Sequence, residues 1–89
     1  MMARVKIYST ARCPICDKTK NLLSKWGVPY TEAKVDSDNA ALREMSQVTD
    51  GARTVPQIVI DGKWIGGFTD LTMLHMDGEL DELIAASKT

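Results

Sequence analysis

Apolar positions recur along this chain with two different periods, and the switches between them mark its elements. Val5 and Ile7 alternate with polar neighbours in R-V-K-I-Y-S, Arg4 to Ser9, the pattern of a strand. After a short loop, Thr10 to Arg12, the period becomes helical. Cys16, Thr19, Leu23 and Trp26 share a stripe with Leu22 beside them, while Asp17, Lys18, Asn21 and Lys25 fall on other faces. This helix starts at Pro14 and stops at Gly27, a C′ residue. Tyr30 to Val35 reads as a second strand. Ser37-Asp38-Asn39 opens a second helix with the stripe Ala41, Leu42, Met45 and Val48, closed by Asp50-Gly51. Val55 to Ile60, V-P-Q-I-V-I, is a strand begun by proline. Asp61-Gly62 signals a tight hairpin to Lys63-Trp64-Ile65, and Gly66-Gly67 breaks that strand. A helix follows from Thr69 with Leu71, Leu74 and His75 inward, then a short last helix with Leu80, Leu83 and Ile84. The order is β-α-β-α-β-β-α, a parallel βαβ unit followed by an antiparallel hairpin, without repeats, low-complexity segments or linkers.

At 89 residues the chain is expected to form a single domain, 1–89, with a core that needs no staples. Apolar content of 44% and charged content of 26% are ordinary for a globular protein. A net charge of -1 offers no electrostatic footprint for nucleic acid or an anionic membrane surface. No apolar run approaches the ~20 residues of a membrane span, and Met1 to Lys6 lacks the apolar core of a secretion signal. An intracellular, cytoplasmic location is therefore expected. In that reducing setting a cysteine pair points to catalysis or metal binding rather than to a structural staple.

The two cysteines, Cys13 and Cys16, stand in A-R-C-P-I-C-D-K. With Pro14 at the first helical position, Cys13 is the N-cap, and its sulfur faces free backbone N–H groups and the positive end of the helix dipole. That environment favours the thiolate, which is the nucleophile. Arg12, Lys18 and Lys20 add positive potential. Cys16 lies one turn on, on the buried stripe, and residues three apart on a helix come within reach of a disulfide. Cys13 is thus expected to attack an incoming disulfide and Cys16 to resolve the mixed disulfide. A zinc site is the competing reading. It normally takes four ligands, and this chain offers one cysteine pair and one histidine, His75, which is expected to pack or face solvent.

These residues resemble the glutaredoxin family, in particular small bacterial dithiol members of the C-P-x-C type. The resemblance spans nearly the whole chain. It rests on C-P-I-C at Cys13–Cys16, T-V-P-Q at Thr54–Gln57, I-G-G-F-T-D at Ile65–Asp70 and the closing G-E-L-D-E-L-I. It implies a thioredoxin-like α/β fold of three layers, with a four-stranded mixed sheet flanked by helices. It also implies a cis Pro56 opposite the cysteines, leaving the backbone of Val55 free to pair with the cysteine of glutathione, with Thr54 flanking the same groove. Gly66 and Gly67 let the backbone bend tightly and a ligand approach closely. The N–H groups of Phe68 and Thr69, or the Thr69 hydroxyl, would hold the γ-glutamyl carboxylate at a helix N-terminus, and Asp70 the γ-glutamyl amino group, though Thr69 or Asp70 also suits a plain helix cap. Ile15 would line the groove, and Arg12 or Arg43 would meet the glycine carboxylate, with Arg53 and Lys18 as further cations. Three positions depart from the family's pattern: Ile15 where an aromatic residue is usual, Thr10 for a lysine, and Phe68 for a cysteine. The first two remove a ring and a charge from the groove, which bears on glutathione affinity rather than on thiol chemistry.

The activity implied is glutathione-dependent reduction of protein disulfides and protein–glutathione mixed disulfides. Glutathione serves as co-substrate, glutathione reductase acts indirectly through it, and no cofactor is tightly bound. A monomer with a reduction potential on the order of -200 to -230 mV is expected. Two alternatives come from the same resemblance. One is an electron donor for ribonucleotide reductase recharged by thioredoxin reductase. The other is an iron–sulfur cluster carrier, which usually has C-G-F-S where this chain has C-P-I-C.

Overall fold

The computed structural model describes residues 5–80. Arg4, at the head of the expected first strand, and Leu83 and Ile84 of the expected last helix lie outside the described residues. Seven elements follow in the expected order: β1 (Val5–Ser9), α1 (Pro14–Lys25), β2 (Tyr30–Lys34), α2 (Asn39–Val48), β3 (Gln57–Ile60), β4 (Lys63–Gly66) and α3 (Phe68–Met76). The sheet order is β2-β1-β3-β4. β1 runs parallel to β2, with Val5 opposite Tyr30, and antiparallel to β3, with Val5 opposite Ile60.

The two central strands explain the layering. Their side chains alternate between faces, and both faces are apolar. Val5 and Ile7 of β1 and Ile58 and Ile60 of β3 pack with Leu23 of α1, Leu71 of α3, Val28 and Leu80. Tyr8 and Val59, one residue out of step, pack on the opposite face with Val35 and with Ala41 and Met45 of α2. A sheet covered on both sides carries apolar side chains on both faces of its central strands, as Ile7 and Tyr8 of β1 and Ile58, Val59 and Ile60 of β3 do. Each fully buried aliphatic side chain here contributes about 1.5–3 kcal/mol. Trp26, at the C-cap of α1, stacks on His75 of α3 with ring centroids 3.9 Å apart, joining the two helices on one face.

Local chemistry sets the ends. Gly27 takes φ +72° after α1. The Asp38 carboxylate accepts the N–H groups of Ala40 and Ala41 at 3.0 and 3.2 Å, an N-cap that stabilises α2 by about 1 kcal/mol. Asp61 and Gly62, at φ +51° and +80°, form the hairpin turn with the hand that suits twisted strands.

Several expected boundaries shift. β3 begins at Gln57 rather than Val55, because Pro56 has no N–H for the ladder. β2 ends at Lys34, although Val35 just beyond it is buried. α3 begins at Phe68 rather than Thr69, capped by Gly67. Leu42, expected on the buried stripe of α2, is exposed, and Ala41 and Met45 carry the packing.

Candidate active site

Cys13 is the N-cap of α1, with φ -131° and ψ 95°, and Pro14 opens the helix. Its sulfur accepts the backbone N–H of Cys16 at 3.1 Å. The two cysteines are joined as a disulfide, with Cα atoms 5.1 Å apart. They differ in access: Cys13 is partly exposed, whereas Cys16 is fully buried beneath α1. The outer sulfur is thus open to attack or to attacking, while the inner one is reached through its partner.

Across from the pair, the Val55–Pro56 peptide bond is cis. The carbonyl oxygen of Val55 lies 4.0 Å from Cys13 Sγ, a contact rather than a hydrogen bond while the sulfur is bonded to Cys16. Beside this meeting point runs a groove of about 240 Å³ lined by Ile15, Thr54, Val55, Pro56, Gly67, Phe68, Thr69 and Asp70. Eight of the residues singled out in the sequence are therefore neighbours, drawn from the first turn of α1, the loop before β3 and the start of α3. Larger hollows elsewhere border neither cysteine.

The glycine pair has separate duties. A side chain on Gly66, at φ +122°, would run into the carboxylate of Asp70, and one on Gly67 would sit 3.4 Å from the carbonyl oxygen of Pro56. The close approach is thus made by the chain's own groups. Asp70 Oδ2 accepts the N–H of Gly67 at 3.0 Å, which is one arm of a capping box; glycine has no side chain to complete the other. Asp70 is therefore first a helix cap, with its remaining acceptor capacity facing solvent.

Arg12 and Arg43 are exposed and do not line the groove. The cation that reaches its edge is Lys18, whose Nζ stands 5.3 Å from the centroid of the Phe68 ring. Lys18 lies one turn beyond Pro14, so helical spacing already puts it at the mouth of the motif. His75 is held in its stack on Trp26, away from the lining.

A family profile described as Glutaredoxin matches residues 5–65. The chain belongs to the glutaredoxin family. It is 47% identical over 83 residues to glutaredoxin 3 of Escherichia coli strain K12, covering 93% of this chain and 99% of that protein. In shape it is similar to glutaredoxin in the crystal structure of the buckwheat glutaredoxin–glutathione complex, with TM-score 0.80 and 29% identity over 92% of this chain and 76% of that one. It is also similar to the solution structure of glutaredoxin from Brucella melitensis, with TM-score 0.78 and 35% identity over 93% and 89%. As a glutaredoxin with a C-x-x-C pair at a helix start, the protein is a thiol–disulfide oxidoreductase. Among the described residues, no helix is long and apolar enough to cross a membrane.

Proposed function

We propose that this glutaredoxin uses glutathione, reducing protein–glutathione mixed disulfides through Cys13 alone and protein disulfides through Cys13 and Cys16. The observation that carries the reading is the groove itself. The half-buried Val55 beside the cis peptide bond, a helix N-terminus at Phe68 and Thr69, and the nucleophilic sulfur adjoin one another on a scale suited to a tripeptide.

In the first reaction the Cys13 thiolate attacks the glutathione sulfur of a mixed disulfide. The protein–glutathione bond breaks, the protein cysteine leaves as a thiolate and takes a proton, and Cys13 carries the glutathione. The thiolate of a second glutathione then attacks that sulfur, releasing glutathione disulfide and restoring Cys13. In the second reaction Cys13 attacks a protein disulfide. Cys16, deprotonated, attacks Cys13 Sγ, the bond from Cys13 to the substrate protein breaks, and that protein's second cysteine leaves as a thiolate and takes a proton. The Cys13–Cys16 disulfide so formed, present here, is reduced by two glutathiones that leave as glutathione disulfide.

The N–H groups at the start of α3 suit the γ-glutamyl carboxylate. Val55 suits a backbone pair with the glutathione cysteine. The free acceptor capacity of Asp70 suits the γ-glutamyl amino group. Lys18 brings positive charge to the Phe68 side of the groove, and Arg12 and Arg43, outside its lining, are assigned no contact. Glutathione reductase closes the cycle through glutathione, and the enzyme works as a cytoplasmic monomer.

The test is turnover of a glutathionylated peptide with glutathione, glutathione reductase and NADPH. Cys13→Ser is expected to be inactive. Cys16→Ser is expected to keep deglutathionylation and lose reduction of protein disulfides. Activity in Cys13→Ser, or recharging by thioredoxin reductase in place of glutathione, overturns the reading.

A further inference from the structure

Three side chains connect the outer strand of the sheet to the loop opposite the cysteines. The indole Nε1–H of Trp64 donates to Oε1 of Gln57 at 2.9 Å. Nε2 of Gln57 donates to the carbonyl oxygen of Thr54 at 3.0 Å and to its Oγ1 at 3.1 Å. Thr54 and Val55 line the groove, while Gln57 and Trp64 do not.

The sheet explains why the three meet. Trp64 is opposite Val59 across the β3–β4 pair, and Gln57 lies two residues before Val59, so both side chains stand on one face as diagonal neighbours. A register shift between Ile58 and Val59 sets Gly66, rather than Ile65, opposite Ile58. The chain therefore turns toward α3 after Trp64 without losing the Trp64–Gln57 match.

We infer that Trp64 is a positioning residue for the groove, acting through Gln57 on the Thr54–Pro56 segment. An indole nitrogen only donates, so the atom facing it must be the amide oxygen of Gln57. That choice turns the NH2 group toward Thr54. The flipped amide would set donor against donor at Trp64 and acceptor against acceptor at the Thr54 carbonyl. Gln57 is 6% exposed, so water does not readily substitute for a lost partner. Trp64 thus selects one of two amide orientations, and that orientation holds Thr54 by two hydrogen bonds just ahead of Val55. Trp64 itself is 42% exposed, so its substitution leaves the groove lining in place and changes what holds it.

The inference rests on the reading of the groove as the glutathione site, and the experiment separates the two. Trp64→Phe keeps a ring and deletes the donor. With a glutathionylated peptide as substrate, its KM is expected to rise about threefold to tenfold, with kcat within about twofold, because the segment holds substrate and transition state alike. The rate of Cys13 alkylation by iodoacetamide is expected to match wild type. Gln57→Glu keeps an acceptor for the indole but sets a carboxylate oxygen against the Thr54 carbonyl, and its KM is expected to rise at least as far. An unchanged KM in Trp64→Phe, or equal losses in kcat and alkylation rate, overturns the positioning role. Absence of wild-type turnover with the glutathionylated peptide overturns the glutathione reading alone. The positioning role is then read from hydrogen exchange of the Gln57 side-chain amide, which is expected to be slow in wild type and at least tenfold faster in Trp64→Phe. Equal exchange in the two proteins overturns it.

Discussion

Cys13 holds extended backbone angles at the head of α1, Pro14 takes the first helical position, and the N–H of Cys16 points at the sulfur from 3.1 Å. After reduction this same N–H and the positive end of the helix favour the anion over the neutral thiol. The alkylation rate of reduced Cys13 is therefore expected to follow a titration with a midpoint below the ~8.5 of a free cysteine. Iodoacetamide kinetics across pH, with the labelled residue identified by mass, checks this. A midpoint at or above that value removes the helix end as the activating device. Cys16, fully buried, is expected to stay unlabelled in the native protein. The placement of the two cysteines was legible in the sequence because it is local: the cap, the proline and the start of the buried stripe lie within one turn. The arginines were not legible. Whether Arg12 or Arg43 reaches a groove depends on how α1 and α2 sit on the sheet, which spacing along the chain does not encode. Lys18, named in the sequence only as a further cation, does reach Phe68, and its helical offset from Pro14 is the signal that could have singled it out.

Between β4 and α3 the chain ends a strand, turns and caps a helix within a few residues, and the glycine pair carries the change. Gly66 has φ +122°, where a side chain is strained, and any Cβ there would press on the Asp70 carboxylate that caps Gly67. Gly67 has φ -96°, which any residue adopts, and a Cβ there meets only the Pro56 carbonyl oxygen at 3.4 Å. Gly66→Ala is therefore expected to destabilise the fold by about 2 kcal/mol or more, from backbone strain and a displaced cap. Gly67→Ala is expected to change stability by less than about 1 kcal/mol. Urea unfolding of the two variants is the check, and equal effects would contradict these separate duties. At this scale the sequence marked the helices through their caps and stripes, and the hairpin through Asp61-Gly62. It misjudged where β3 begins, since an apolar run starting at Val55 conceals that the ladder waits for the first N–H after Pro56. It also put Leu42 inside, because a helical stripe is broader than the strip of sheet available to cover it.

The order of strands in the sheet was not legible from spacing. The resemblance to a family implied a four-stranded mixed sheet but not its strand order, and the central place of β1 and β3 is explained only once both of their faces are seen to be covered. Least legible was a charged network binding three elements whose members look like solvated side chains along the chain. Ser9, at the end of β1, donates its hydroxyl to Glu32 Oε2 of β2 at 2.5 Å. Lys20 of α1 donates to the same oxygen at 2.8 Å, and Asp17 lies 3.3 Å from Lys20. The hydrogen bond from Lys20, then that from Ser9, hold the Glu32 carboxyl below its ordinary 4.5. The Glu32 bond lifts the Lys20 ammonium above its ordinary 10.5. A lowered carboxyl pKa means stability that is complete above about 4.5 and is lost as pH falls through the folded value. A raised ammonium pKa means stability that is complete below about 10.5 and is lost as pH rises through the folded value. The network therefore anchors α1, and with it the cysteine pair, most firmly across the window between those two values. The pair is partly exposed to water, so its contribution is about 1 kcal/mol rather than what a dry interior would give. Glu32→Gln is expected to lower Tm by about 5 °C at pH 7. The deficit should shrink toward zero as pH falls below the folded pKa of Glu32, where wild type too has lost the charge. Thermal unfolding of both proteins from pH 2.5 to pH 9 provides the comparison. A deficit that stays constant down the acid limb would mean that Glu32 acts through packing rather than through its charge.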